Sequence, residues 1–276
     1  MNYRHAYHAG NFADVLKHAV LVWIVRYLQQ KAAPLALIDT HSGAGLYDLT
    51  ALPALKTSEA KDGILRLAGR ADLPQALQPY VDLVQAANGD GAIAVYPGST
   101  SLLMSLARAT DRIVACELHP EDAAALRKTV GESPKRRIIA GDGYRMLLSL
   151  VPPAEKRGLV LIDPPFEEPE EFERLAAAFI AAHLKWPSGV YVLWFPVKDA
   201  GEVSRFKAEL ANAAIPKLTS VTLDVARSEG LSASALVICN APFTFEAERG
   251  PALGWLAHAL ARGSTPSCRI AALPDP

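Results

Sequence analysis

Short apolar runs, each closing on a polar residue or a turn signal, recur along the chain. LALIDT (35–40) runs into HSGAG, RIVACE (112–117) into LHP, and RIIAGD (137–142) into Gly143. LVLID (159–163) runs into PPF and GVYVLWF (189–195) into Pro196, and LTSVTLDV (218–225) and SALVICN (234–240) end the series. The runs are nearly continuous in Val, Ile and Leu rather than alternating, the pattern of strands buried on both faces of a parallel sheet. Between them lie helix-like segments: PEDAAALRKTV (120–130), PEEFERLAAAFIAAHLKW (169–186) and SRFKAELANAA (204–214). Strands alternating with helices predict an open α/β sheet with right-handed crossovers. Only ARSEGLSA (226–233) separates the last two runs, too short for a crossover helix, so they are expected to form an antiparallel hairpin at one sheet edge. Upstream of the first strand, FADVLKHAVLVWIVRYLQ reads as a helix that is mostly core, with Lys17 and His18 projecting toward the strand ends.

One stretch breaks the alternation. Residues 48–95 are rich in Ala, Leu and turn residues, with helical patches such as DGILRLAG and PQALQPYVDLVQAAN, where a simple doubly wound fold would already have made its second strand. They read as a small helical insertion or as a long loop with helices of its own, and no core pattern in the stretch separates the two.

Composition narrows the picture. The chain has 276 residues, half of them hydrophobic and 21% charged, with a formal net charge of −1. At roughly 150 residues per domain it holds one large or two small domains, and a chain of this size buries ~75% of its unfolded surface. Such an apolar, weakly charged composition excludes a disordered protein. Cys116, Cys239 and Cys268 are too few and too scattered for a disulfide framework and read as small core residues. No run approaches the ~18 apolar residues of a membrane span, and the N-terminus lacks the apolar stretch of a secretory signal. The expectation is a cytoplasmic protein without a membrane partner, monomeric because no heptad or exposed apolar stripe is visible. The neutral balance removes any whole-protein basic field, so a nucleic-acid partner has to be argued locally. Arg127, Lys128, Lys135, Arg136, Arg137 and Arg145 cluster around the third strand but read first as a solvated face.

Ligands of open α/β sheets sit at the carboxyl ends of the strands, where strand order reverses. The first strand ends in Asp39-Thr40-His41-Ser42-Gly43-Ala44-Gly45, whose glycines allow a tight turn and close backbone approach. Glu117 at the second strand end is suited to accept from two ribose hydroxyls, and Asp142 after the third to accept from an adenine amine. Each acid alone is more often a loop charge or a helix cap; together with GxG they point to an adenosine-bearing ligand. At the fourth strand end, Asp163, Pro164, Pro165 and Phe166 combine a carboxylate, carbonyls whose neighbouring donors the prolines remove, and a ring. Edge acceptors for an exocyclic NH2 and a ring for the base face describe a pocket for an amino-bearing base. Trp194 either lines that pocket or packs the sheet. Hydride transfer accounts for the glycines equally well, but it expects GxGxxG with an acid ~20 residues on and gives no reason for DPPF. The histidines show no zinc spacing with the cysteines.

DPPF resembles the motif of class I S-adenosylmethionine-dependent methyltransferases that modify exocyclic amines. The likeness extends to YRHAYHAGNFADVLKH, DTHSGAG, YPGS (96–99), CELHP (116–120), GDGY (141–144), LIDPPF and LWFPV (193–197), which in this order resemble the RlmJ family. The resemblance implies a Rossmann-like class I methyltransferase domain, residues 1–47 and 96–276, with residues 48–95 as its helical insertion. It also implies methylation of N6 of an adenine in 23S ribosomal RNA, protein-free or early in assembly, with S-adenosyl-L-methionine as cofactor. His18, His41, Gly43, Ser99, Glu117, Asp142, Gly143 and Asp163 fall on cofactor-site positions. Asp163 is the expected catalytic acceptor with Pro164 and Phe166 beside it, His5 and Lys17 are active-site neighbours, and Tyr3, His5 and Phe166 meet the RNA. The family motif usually ends in tyrosine, so Phe166 keeps the stacking ring without the hydroxyl. The alternatives are a DNA adenine-N6 or other exocyclic-amine methyltransferase, and a methyltransferase-like RNA-binding module without activity.

Overall fold

A computed structural model describes residues 5–273. After a short 3-10 turn at His5–Tyr7, α1 (Phe12–Leu28) begins where the Asn11 side chain accepts from the Asp14 amide at 2.9 Å. It is apolar nearly all round and correspondingly buried. β1 (Ala36–Asp39) follows, then β2 (Leu46–Asp48), α2 (Leu52–Thr57), two 3-10 turns, α3 (Gln78–Ala86) and β3 (Val95–Pro97). The α/β alternation resumes with α4 (Ser99–Leu106), β4 (Arg112–Glu117), α5 (Pro120–Val130), β5 (Arg136–Ala140), α6 (Gly143–Leu150) and β6 (Gly158–Ile162). It continues through α7 (Glu171–Lys185), β7 (Val190–Val197), α8 (Ala200–Asn212), β8 (Leu218–Asp224), β9 (Ala233–Cys239), α9 (Phe245–Ala259) and β10 (Ser267–Leu273).

The main sheet has the order β10-β8-β9-β7-β6-β1-β4-β5. β1 pairs in parallel with both β4 and β6, so strand order reverses at β1 and opens a crevice there. Neighbouring residues of β6 serve opposite faces: Leu159 and Leu161 join the core under α1 and α9, and Val160 and Ile162 join the core under α6, α7 and α8. This two-sided burial is why the strand runs are continuously apolar.

The β8–β9 hairpin forms, but not at a sheet edge. β9 inserts antiparallel between β7 and β8, and β10 pairs antiparallel outside β8, Ser267 against Asp224 through Leu273 against Leu218. β10 opens on Ser267-Cys268-Arg269 and has several exposed and part-exposed positions, so its short apolar run does not mark it as a sheet strand, and its pairing with β8 does. Cys116 and Cys239 are buried, and Cys268, on this edge strand, is part-exposed.

β2 and β3 pair antiparallel, closing residues 48–95 at a neck where Tyr47 faces Tyr96. The excursion has no separate core. Ile64, Leu67, Leu77, Tyr80 and Val84 pack into the same cluster as α1, and the Trp23 indole donates to the Ala76 carbonyl at 2.5 Å. Among the described residues no helix is long and apolar enough to cross a membrane.

Candidate active site

The β1 end supplies one wall of the crevice. Gly43 takes φ +61°, and a Cβ there would lie 1.9 Å from the Tyr47 hydroxyl. Its amide donates to Glu117 Oε2 at 2.7 Å, and the His119 amide donates to Oε1 at 2.7 Å. Burial pushes the Glu117 carboxyl up while these two N–H groups pull it back. The acid at the β4 end is therefore fixed by backbone, with further lone pairs on both oxygens. Asp39 lies beneath, accepting from Ser99 Oγ at 2.6 Å and Thr100 Oγ1 at 2.7 Å, and burial raises its pKa to about 6. Ser99 thus spends its proton inward and keeps its oxygen as an acceptor. Asp142 does cap a helix: its Oδ1 accepts from the Tyr144 amide at 2.9 Å and the Arg145 amide at 3.3 Å at the start of α6. Gly143 is required next to it, because a Cβ would lie 1.9 Å from the Thr40 carbonyl oxygen. The His41 ring sits edge-on to Tyr144 at 4.9 Å, and burial lowers its pKa to about 4.

The β6 end supplies the opposite wall. Asp163 Oδ2 lies 2.5 Å from Lys17 Nζ, which is also 2.8 Å from Asp14 Oδ1. Asp14 Oδ2 in turn bonds His5 Nε2 and accepts from the Gly10 amide, both at 2.9 Å. Burial alone would lower the Lys17 pKa, but the two carboxylates outweigh it and hold the amine protonated. Burial alone would likewise raise the Asp14 carboxyl, yet His5 and Lys17 hold it well below the usual range. Phe166 adopts φ +51°, which turns its ring toward Phe172 (centroids 4.8 Å apart) and Trp194 (5.8 Å). The Trp194 ring lies 5.8 Å from Lys17 Nζ and its indole donates to Ser234 Oγ at 2.8 Å, so this residue both lines the crevice and packs the sheet.

All candidate residues within the described chain line one cleft of about 790 Å³, at the upper end of small-molecule pocket sizes. Lys17 and His18 arrive from α1, His5 from the 3-10 turn before it, Asp163, Pro164 and Phe166 from the loop after β6, and the remainder from the β1, β3, β4 and β5 ends. Tyr3 lies outside the described residues. The six cations around β5 do not line the cleft: Arg136 donates to the Val130 carbonyl and Arg127 to that of Ile138. Sequence reasoning missed Asp14, although its place one helical turn before Lys17 was a usable signal. It also missed Arg174, whose guanidinium lies over the Tyr144 ring at 4.9 Å and 3.7 Å from Asp142, and the cleft-lining Lys198 and Arg227, which no motif marks.

A strand order reversing at β1 and an antiparallel strand slotted between β7 and β8 are those of the Rossmann-like class I methyltransferase fold. The family model described as "Ribosomal RNA large subunit methyltransferase D, RlmJ" matches residues 32–271. The chain belongs to this family. Its RlmJ relatives include Ribosomal RNA large subunit methyltransferase J of Escherichia coli K12, 35% identical over 259 residues, 93% of this chain and 92% of the relative. The protein of the same name from Haemophilus influenzae is 34% identical over 274 residues, 98% of each chain. A crystal structure of protein LPL1258 from Legionella pneumophila superposes with a TM-score of 0.88 at 35% identity, over 95% of this chain and 97% of that one. A probable spermidine synthase from Corynebacterium glutamicum shares the fold alone, with a TM-score of 0.52 at 15% identity over 96% of this chain and 77% of that one.

Proposed function

We propose that this RlmJ-family chain uses S-adenosylmethionine to methylate N6 of an adenine in 23S ribosomal RNA, acting as a cytoplasmic monomer on protein-free or early-assembly RNA. The domain is formed by residues 1–47 and 96–276, with 48–95 as an inserted helical subdomain. The observation that carries the reading is the pairing, across one cleft, of a backbone-held carboxylate at Glu117 with an acceptor-and-ring group at Asp163, Pro164 and Phe166.

The residues present fit the cofactor. Glu117 has lone pairs for two ribose hydroxyls, the Gly43 turn admits no side chain, and His18 Nε2 is buried on the cleft wall with no partner among the described residues. When bound, the cofactor supplies an electrophilic methyl group on a positively charged sulfur. Adenine N6 is a poor nucleophile because its lone pair is delocalised into the ring. Asp163 and the Pro164 carbonyl accept hydrogen bonds from its two N–H groups, favour a pyramidal nitrogen and aim the lone pair, and the N6 proton displaced by the methyl passes to the Asp163 carboxylate. Lys17 occupies Asp163 Oδ2 and leaves Oδ1 for the amine; held protonated, it orients the carboxylate and does not act as a base. Phe166 stacks on the base, with Trp194 edge-on to the Phe166 ring, and the base must be unpaired or flipped out to enter. Orientation of two bound partners supplies most of the acceleration.

The test is incorporation of labelled methyl into protein-free 23S RNA, assembled large subunits and adenine-containing DNA. N6-methyladenosine in the free RNA is expected, and a preference for DNA would replace this reading with the DNA alternative. Asp163→Ala should abolish transfer while S-adenosylhomocysteine still binds; near-normal methylation by that variant would overturn the role of Asp163.

A further inference from the structure

Behind the cleft wall, three buried polar groups form a line from the inserted segment to α1. Tyr80 Oη on α3 lies 2.8 Å from Tyr96 Oη on β3, and Tyr96 Oη lies 2.6 Å from His18 Nδ1. Both tyrosines are fully buried and His18 is 1% exposed. The imidazole stacks on the Tyr96 ring with centroids 5.5 Å apart and 26° between planes. On the other edge of the ring, Nε2 is buried without a hydrogen-bond partner among the described residues, and the residue lines the cleft.

Counting protons decides how the line is arranged. Burial, reinforced by the Lys17 ammonium, holds His18 well below its ordinary pKa, so the ring is neutral and carries one N–H. Burial likewise keeps both phenols protonated. If Nδ1 carried the imidazole proton, it would donate to Tyr96, Tyr96 would donate to Tyr80, and the Tyr80 proton would have no acceptor in a dry core. A buried unsatisfied donor costs about 1–3 kcal/mol. In the opposite direction Tyr80 donates to Tyr96, Tyr96 donates to Nδ1, and the one proton left without a partner among the described residues is on Nε2, at the cleft rather than deep in the core.

We propose that Tyr96 is a positioning residue for the transfer reaction: backed by Tyr80, its hydroxyl fixes His18 as the Nε2–H form and so turns a donor toward an acceptor atom of the ligand in the cleft. The acceptor is anionic. α4 begins at Ser99 with no side chain capping its first amides, and Gly98 and Ser99 line the same cleft, so a helix N-terminus and an imidazole N–H present like polarity. Lys17, the adjacent cation, is already committed to Asp14 and Asp163. Given the cofactor reading above, on which this assignment of the acceptor rests, the group is the carboxylate of the amino-acid arm. The inserted segment lines the cleft through Glu59 and also packs Tyr80 behind Tyr96.

Long-range 1H–15N correlation on the histidine-labelled full chain, with His18 assigned by His18→Gln, reads the tautomer directly. Protonated Nε2 and bare Nδ1 are expected; a proton on Nδ1, or an imidazolium at neutral pH, overturns the proposal. Calorimetry then compares S-adenosylhomocysteine with 5′-methylthioadenosine, which lacks the amino-acid arm. Tyr96→Phe should weaken the first about tenfold and the second less than about twofold, with KM for the methyl donor rising and kcat nearly kept. Tyr80→Phe removes a buried hydroxyl from the same cluster but leaves the Tyr96 proton only His18 to bond, so both affinities should change less than about twofold. Equal losses for the two probes, or equal losses in the two variants, would mean packing rather than positioning and would overturn it. If wild-type protein binds neither probe, the cofactor reading fails while the tautomer result still decides the arrangement of His18. If Tyr96→Phe does not fold, the wild-type tautomer decides alone.

Discussion

Replacing Lys17 with Met keeps the length and packing of the side chain and removes the one ammonium between two carboxylates. Its Nζ lies 2.8 Å from Asp14 and 2.5 Å from Asp163, with side chains only 4%, 2% and 12% exposed for Lys17, Asp14 and Asp163. At an effective dielectric of about 20, unit charges about 4 Å apart attract by roughly 4 kcal/mol, and desolvation of all three groups offsets most of that. The intact cluster is therefore worth little net, but deleting one partner strands a buried charge, at about 3–5 kcal/mol. Asp163 keeps some solvent, so a loss of about 3 kcal/mol at pH 7 is expected. The pH dependence fixes the cause. In the wild type, the depressed Asp14 pKa contributes stability that is present above the unfolded value of ~3.9 and is lost as pH falls through the folded value. In Lys17→Met mainly His5 still opposes the burial of Asp14, so its carboxyl is depressed less than in the wild type and the variant loses less stability as pH falls. The gap between the two proteins should thus narrow from pH 7 toward about pH 4.5. Urea unfolding at both pH values measures it, and adding Asp14→Asn to the variant should recover part of the loss. A deficit below about 1 kcal/mol at pH 7, or one equal at both pH values, would refute the buried-cluster account.

Glu117→Gln places an NH2 against one of two backbone N–H donors, so S-adenosylhomocysteine affinity should fall by about tenfold or more in calorimetry, with the fold intact by circular dichroism. Gly143→Ala drives a methyl onto the Thr40 carbonyl and should lower the melting temperature by several degrees, about 2 kcal/mol or more, while separating α6 from the β1 end. Phe166→Ala should weaken positioning of the base by about 1–3 kcal/mol, seen as a rise in KM for RNA with cofactor affinity unchanged.

Much of this protein is written in local sequence. Strands buried on both faces must be continuously apolar, so β1, β4, β6, β7 and β9 are visible as runs, and α5 spans the same residues in sequence and structure. The chemistry at the carboxyl ends, Gly43, Glu117, Asp142 and Asp163, is legible for the same reason: each polar residue interrupts or ends an apolar run. Tertiary structure decided what a run cannot encode. β2 and β3 are three residues each and exist only through each other, β10 only through β8, and β9 takes its place between β7 and β8 by pairing rather than by pattern. The insertion gave no core signal because its apolar residues complete the core of α1 instead of forming one. Above all, what a side chain does in the cleft depends on residues far away in the chain. Lys17 meets Asp163, and His18 meets Tyr96 and through it Tyr80, only after folding excludes water, and that desolvation determines which protons each group keeps.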